Sequence, residues 1–212
     1  MADILTLSAA DLAALLCSRV CHDIISPVGA INNGLELLDE GGADEDAMNL
    51  IRASARNASA RLQFARIAFG AAGSAGMVID TGDAESVATA FLRNEKPEFE
   101  WGGPRWLLPK NIVKLLLNLV LIANAAIPRG GKISVKLDGT DSNPKFTVSA
   151  RGPMLRVPPK FLELHSGSRP EEAIDAHAVQ PYYTLLLSRE SGMPISIHAT
   201  ADEIVFSASR PE

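Results

Sequence analysis

The sequence predicts a two-domain α+β protein, in which an N-terminal antiparallel helical hairpin (residues 1–75) precedes an α/β sandwich (residues 76–212). Three observations predict this architecture. Apolar residues before position 70 recur at helical spacing. The segment 70–76 contains only Gly, Ala and Ser, which is typical of a linker. After it, short alternating segments are interleaved with helical ones, which favours a layered domain.

Two long helices are expected before the linker. Ser8, with Asp11 three residues later, resembles a capping box that opens the first helix, and Gly41-Gly42 closes it. The acidic run at 44–46 suits the positive end of a second helix dipole. Because only a glycine break separates the helices, we expect an antiparallel hairpin.

The apolar stripes of these helices are too large for one hairpin to bury. The first helix contributes Leu12, Leu16, Val20, Ile24, Val28, Ile31, Leu35 and Leu38, and the second contributes Met48, Ile51, Ala55, Ala58, Leu62 and Ala65. Two hairpins from two chains would close the core as a four-helix bundle. The sequence therefore predicts a homodimer.

The second part of the chain mixes strands and helices. Strands are predicted at 77–80, 132–137, 145–150, 194–199 and 203–208, and helices at 83–94, 108–127 and 171–190. Trp101 and Trp106 are expected to anchor a loop in the core.

Composition excludes several classes of protein. With 47% hydrophobic and 21% charged residues, the chain is typical of a soluble globular protein. A net charge of -5 argues against general nucleic-acid binding, and two cysteines exclude a disulfide scaffold. We expect no membrane span, because no apolar run reaches the roughly 18 residues that a span needs, and no signal-peptide pattern opens the chain. We expect a cytoplasmic protein with neither a nucleic-acid nor a membrane partner.

His22 is the residue whose position most strongly indicates chemistry. It lies two residues from both Val20 and Ile24, so it points about 200° away from the apolar stripe. Asp23 is placed to accept the Nδ1 proton, which would leave Nε2 as a nucleophile. Pro27 lies inside the helix, where proline costs about 3 kcal/mol, and stability does not explain it. The alternative interpretation is an ordinary surface histidine.

Other titratable residues carry weaker signals. Cys17 and Cys21 are four residues apart beside the apolar stripe, and we interpret them as buried structural thiols instead of metal ligands. His165, His177 and His198 are expected to be structural or surface residues. No metal site is predicted.

The segment 22–27, His-Asp-Ile-Ile-Ser-Pro, resembles the H-box of sensor histidine kinases: a histidine, an acidic residue, two variable positions, a small polar residue and a proline. The longer run at 21–40 resembles the ChpT-type histidine phosphotransferases of alphaproteobacteria more closely still. The resemblance extends over the whole chain, from the hairpin to the α/β domain.

The resemblance implies a phosphohistidine relay. His22 would carry the phosphoryl group on Nε2, Asp23 would orient the ring, and Ser26 would tune hydrolysis. With the face geometry, it also implies a receiver-docking surface, with Ile25 as its apolar anchor, that comprises Ser18, Arg19, Ile25, Ser26, Gly29 and Asn33. Family members take phosphate from the receiver of a CckA-like hybrid kinase and pass it to CtrA-like and CpdR-like response regulators in cell-cycle control. The receiver would supply Mg²⁺, so no cofactor is expected on this chain.

The second part resembles a histidine-kinase ATP-binding domain, the Bergerat fold, in degenerate form. Asn124 matches the magnesium-ligand asparagine of the kinase N-box, but its partner position is Val120. Ala150 stands where the kinase has the adenine-binding aspartate, and Met154 stands at a required glycine. The region 177–187 contains none of the glycines of the phosphate cradle. We therefore expect no ATP binding and no autokinase activity.

Two alternatives remain open. An active ATP-dependent histidine kinase or phosphatase requires the nucleotide site that these residues lack. A non-catalytic adaptor that binds receivers has no need of His22, Asp23 or Pro27. Near the vacated nucleotide site, Arg151, Arg156 and Arg169 are further candidates for partner contact.

Overall fold

The computed structural model describes residues 6–41, 44–70, 78–167 and 173–211. Nearly all of the predicted linker, and Arg169, lie outside these ranges. The helices are α1 (Ala9–Asp39), α2 (Asp44–Ala68), α3 (Thr81–Leu92), α4 (Lys110–Ala126), α5 (Pro159–His165) and α6 (Val179–Ser191). The strands are β1 (Val78–Asp80), β2 (Glu98–Gly102), β3 (Leu107–Pro109), β4 (Lys132–Gly139), β5 (Pro144–Arg151), β6 (Ile195–Ala199) and β7 (Ile204–Ser209).

The hairpin helices begin where the capping signals predict. The Ser8 hydroxyl accepts a hydrogen bond from the Asp11 amide at 3.1 Å, and α2 begins inside the acidic run. The two helices pack along each other, and Gly34 is buried between them. A Cβ on Gly34 would lie 2.6 Å from Ile51 Cγ1 and 3.2 Å from the Ala47 carbonyl oxygen. Glycine at this position therefore allows the helices to approach closely.

The hairpin leaves much of its apolar surface uncovered. Pro27 and Gly34 are the buried residues of α1. The exposed large apolar side chains of the hairpin include Ile25, Val28, Leu35, Leu37, Leu50 and Leu62. The expectation that no run is long enough for a membrane span needs correction, because α1 passes that test by length and composition. A helix of a helical bundle can have the same apolar composition as a membrane span. In this structure α1 packs along α2.

The rest of the described chain forms a two-layer α/β sandwich, which confirms the mixed α+β prediction. One sheet has the strand order β2-β4-β5-β7-β6, with β2 parallel to β4 and the other neighbours antiparallel. Alternate residues of β4, β5 and β7 are buried beneath a helical layer in which α4 is almost wholly buried. A separate two-stranded ribbon pairs β1 with β3.

Several elements differ from the sequence expectation, among them strand β3, which lies where the helix predicted at 108–127 was to begin. The helix predicted at 171–190 begins at Val179, because Asp175 accepts hydrogen bonds from the amides of His177 (2.9 Å) and Ala178 (2.7 Å) and forms a turn there. Trp101 lies in β2, where we expected a loop. The strand was not predicted because it alternates charged and aromatic residues and contains no aliphatic residue. The short helix α5 was also missed.

The hairpin and the sandwich share one hydrophobic core. Phe64, Ile67 and Ala68, at the end of α2, belong to the same buried cluster as the sheet and α4. The buried Asn118 amide donates to the Ala68 carbonyl at 3.1 Å, and the Leu7 backbone amide donates to the Tyr182 hydroxyl at 2.9 Å. These contacts fix α1 against the beginning of α6.

Candidate functional site

His22 lies on the outer face of α1 with its side chain 64% exposed. Its Nδ1 atom is 3.5 Å from Asp23 Oδ1, at the outer limit of a hydrogen bond. The other carboxylate oxygen of Asp23 accepts a hydrogen bond from Arg19 Nε at 2.9 Å. Within the described ranges, no hydrogen bond engages Nε2 of His22. The arrangement leaves Nε2 as the ring nitrogen available to another protein.

Arg19 makes a contact that we did not expect from the sequence, and its role in docking stays a prediction. Its side chain reaches forward one helical turn to Asp23, where it holds the carboxylate beside the histidine. A spacing of four residues between an arginine and an aspartate on one helix indicates an ion pair of this kind, which we did not predict.

Pro27 marks a second local feature of this turn. The helix runs through Pro27 without ending, and the proline is buried. Because proline has no amide hydrogen, the carbonyl of Asp23, four residues earlier, lacks its helical partner. The irregularity thus falls directly beside His22.

The predicted docking residues surround His22 on the surface. Ser18, Ile25, Ser26 and Asn33 are exposed and Gly29 is half-buried. Ile25 is 71% exposed, the most exposed of the large apolar side chains in the described chain. The structure thus places small and polar residues, and one large apolar side chain, around the histidine; their role in docking stays a prediction.

His177 was missed as a neighbour of His22. The centroids of the two imidazole rings are 5.4 Å apart, and the ring planes meet edge to face at 77°. His177 comes from the sandwich, immediately before α6. No local spacing reveals this contact, because tertiary packing alone brings α1 and α6 together.

A cleft of about 500 Å³ lies between the hairpin and the sandwich, beside this pair of histidines. Its polar lining comprises Arg19, Asp23, Arg61, Glu95, Asn124, Lys160, His177 and Gln180. Arg61 pairs with Glu95 at 2.6 Å and lies over the Phe91 ring. The site therefore has walls from both parts of the chain.

Comparison with known proteins identifies the family. Residues 81–203 match the model of the histidine phosphotransferase C-terminal domain. The chain is 76% identical, over 96% of its length and 97% of the relative's, to the protein phosphotransferase ChpT of Brucella abortus (strain 2308). The chain belongs to the ChpT-type histidine phosphotransferases. It is a protein phosphotransferase.

One solved structure agrees closely with this ChpT-type assignment. A bacterial phosphotransferase superposes with a TM-score of 0.92 at 74% identity, covering 96% of this chain and 98% of the other. A histidine kinase domain from Erythrobacter litoralis EL346 is a far more distant match, with 13% identity over 96% of both chains and a TM-score of 0.49.

The ChpT-type chain lacks groups that a nucleotide site needs. Ala150 is fully buried in β5, and its methyl group cannot accept a hydrogen bond from adenine. At the position of the missing glycine cradle, α6 buries Val179, Gln180 and Tyr182 in the core. Arg151, proposed beside this site, is paired with Glu203 at 3.1 Å, and that arginine lowers the pKa of Glu203. These residues favour the prediction that ATP does not bind.

The cysteine interpretation needs correction. Cys17 and Cys21 are exposed, because the stripe beside them stays uncovered in the single chain. Among the described residues, no group of three or more His, Cys, Asp or Glu is arranged to hold a metal ion. His165 contacts the Ile195 carbonyl oxygen at 2.8 Å, and His198 is exposed.

Proposed function

We propose that this ChpT-type chain relays a phosphoryl group through His22, from the receiver aspartate of a hybrid histidine kinase to receiver aspartates of response regulators. The observation that carries the proposal is the exposed imidazole of His22, with Nδ1 beside an Asp23 carboxylate that Arg19 orients. A carboxylate at Nδ1 favours the tautomer in which Nε2 is the nucleophile.

The transfer step follows from these positions. The lone pair of His22 Nε2 forms the N–P bond as the P–O bond to the receiver aspartate breaks, and that aspartate leaves as a carboxylate. The Nδ1 proton stays on the ring, where Asp23 offsets its positive charge. In the onward step, a second receiver's carboxylate attacks phosphorus and the N–P electron pair returns to Nε2.

Docking requires a receiver to cover the histidine face. Ile25 supplies an apolar anchor, and the small side chains of Ser18, Ser26 and Gly29 allow a close approach. Ser26, one turn after His22, is exposed and near enough in the helix to affect hydrolysis of the phosphohistidine. Arg19 contributes by holding Asp23.

The wider setting that we propose follows the family resemblance. The donor is a CckA-like receiver, the acceptors are CtrA-like and CpdR-like regulators, and the process is cell-cycle control in the cytoplasm. The receivers supply Mg²⁺, and this chain uses neither a resident cofactor nor ATP. The active form is a homodimer, in which two hairpins cover each other's apolar faces as a four-helix bundle.

A radiolabel experiment tests the relay. Wild type, His22→Ala and His198→Ala are each mixed with a labelled phosphoreceiver and, in parallel, with labelled ATP alone. His198 is an exposed histidine on β6 and serves as the matched control. We expect wild type and His198→Ala to take label from the receiver and none from ATP, and His22→Ala to take none.

Each other outcome contradicts a specific part of the proposal. Label on His22→Ala would mean that another residue is the nucleophile. Label from ATP alone would identify an autokinase. Label on neither wild type nor control, with phosphoreceivers of both the donor and acceptor types, would favour an adaptor.

A further inference from the structure

The turn before α6 fixes the backbone that carries His177, an exposed residue. The Asp175 carboxylate accepts hydrogen bonds from the backbone amides of His177 and Ala178, and the Asp175 carbonyl accepts one from Val179 at 2.9 Å. These bonds lower the pKa of Asp175, since they favour its ionised form. Val179, next in the chain, is fully buried. The backbone that carries His177 is therefore tied to the core of the sandwich.

His22, by contrast, has few restraints on its own helix. Its ring is mostly exposed, and its contact with Asp23 is long because adjacent residues on a helix point about 100° apart. Exposed side chains of this kind exchange between rotamers on the ps–ns timescale. A nucleophile that must attack in line loses rate for every rotamer that points Nε2 elsewhere.

From this contrast we infer that His177 is a positioning residue for His22: its ring, packed edge to face at 5.4 Å, holds the His22 imidazole in the rotamer that presents Nε2 to the receiver. Edge-to-face aromatic pairs favour the packed arrangement by about 2- to 10-fold in population. The inference rests on the proposed role of His22 as the phosphoryl carrier.

The inference also gives the sandwich a direct part in the reaction. Asp23 restrains the Nδ1 side of the ring from α1, and His177 restrains the ring from the turn before α6. His177 also lines the adjoining cleft, where Arg19 pairs with Asp23 and Arg61 pairs with Glu95. Neither part of the chain alone supplies both restraints.

The test compares wild type with His177→Ala, which removes the ring, and His177→Phe, which keeps a ring for the edge-to-face contact. His198→Ala is the control for loss of an exposed histidine. Two quantities are measured: the rate of label transfer from a phosphorylated receiver at saturating concentration, and the concentration that gives half-saturation. The side-chain rotamer of His22 is followed through the three-bond couplings of its signal in histidine-labelled protein.

We expect His177→Ala to slow saturated transfer about 2- to 10-fold with unchanged half-saturation. We expect His177→Phe to recover most of the rate, and the couplings of His22 to indicate rotamer averaging in His177→Ala alone. An unchanged saturated rate in His177→Ala would overturn the inference. So would a change confined to half-saturation, which identifies a docking residue, or a failure of His177→Phe to recover the rate. If wild type takes no label, the proposed function fails, while the His22 signal still decides whether His177 holds the ring.

Discussion

Adjacent residues on a helix cannot pair well, and this fact shapes the chemistry of His22. The side chains of His22 and Asp23 diverge, so their contact is long, and the carboxylate is held in place by Arg19 one turn earlier. The sequence allowed His22, Asp23 and the exposed face to be predicted, because helical periodicity determines which residues share a face. His177 could not be predicted this way, since its contact depends on how α1 packs against α6.

Asp23→Asn keeps the shape of the side chain and removes its charge. A hydrogen bond to a charged group is worth about 1.5–3 kcal/mol, so we expect transfer through His22 to slow about 10- to 100-fold. The measurement is the single-turnover rate with a phosphorylated receiver. Asp39→Asn, at the exposed end of α1, is the control. Transfer at the wild-type rate in Asp23→Asn would show that the carboxylate does not assist the ring.

The helical hairpin was predictable at the scale of the element, because caps and apolar periodicity are local signals. Ser8 and the acidic run mark the beginnings of α1 and α2. The beginning of α6 was wrong because a side chain, Asp175, takes the amides that a longer helix would use. Strand β2 was missed because its outward residues are glutamates and its inward residues are aromatic, on an edge of the sheet.

Two glycines of α1 make a matched pair for testing how the hairpin packs. Gly34→Leu places atoms against Ile51 and the Ala47 carbonyl, so we expect a loss of about 1–3 kcal/mol in unfolding free energy. A Cβ at position 29 would meet nothing within 4 Å, and alanine has less backbone freedom than glycine in the unfolded chain. We therefore expect Gly29→Ala to raise the unfolding free energy by about 0.5–1 kcal/mol. Thermal melts of the two variants measure both changes. Equal melting temperatures would contradict the close packing of α1 on α2.

At the scale of the whole molecule, the hairpin exposes a large apolar face to solvent. Composition predicted a soluble globular chain, yet Val28, Leu35 and Leu62 are exposed in the single chain. In the proposed homodimer, a second hairpin would cover this face without any new element. The sequence predicted this face from its apolar stripe, whereas the joining of hairpin and sandwich in one core required the tertiary structure.

Leu62→Glu tests the dimer. Leu62 is 50% exposed on the hairpin, and Leu162, on α5, is 49% exposed, which makes Leu162→Glu a matched control. A buried charge at a bundle interface is costly, so we expect Leu62→Glu to be monomeric at micromolar concentration, with wild type and Leu162→Glu dimeric. Light scattering measures the mass. A monomeric wild type would contradict the four-helix bundle.

The core that joins α2 to the sandwich has a consequence for the speed of signalling. Phe64 and Ile67 of α2, and the contact of Leu7 with Tyr182, join the helical hairpin to the sandwich. If a receiver docks on the hairpin as we propose, the backbone it meets is already fixed in place. We therefore expect association to proceed as rigid-body docking, at a rate set mainly by diffusion and orientation.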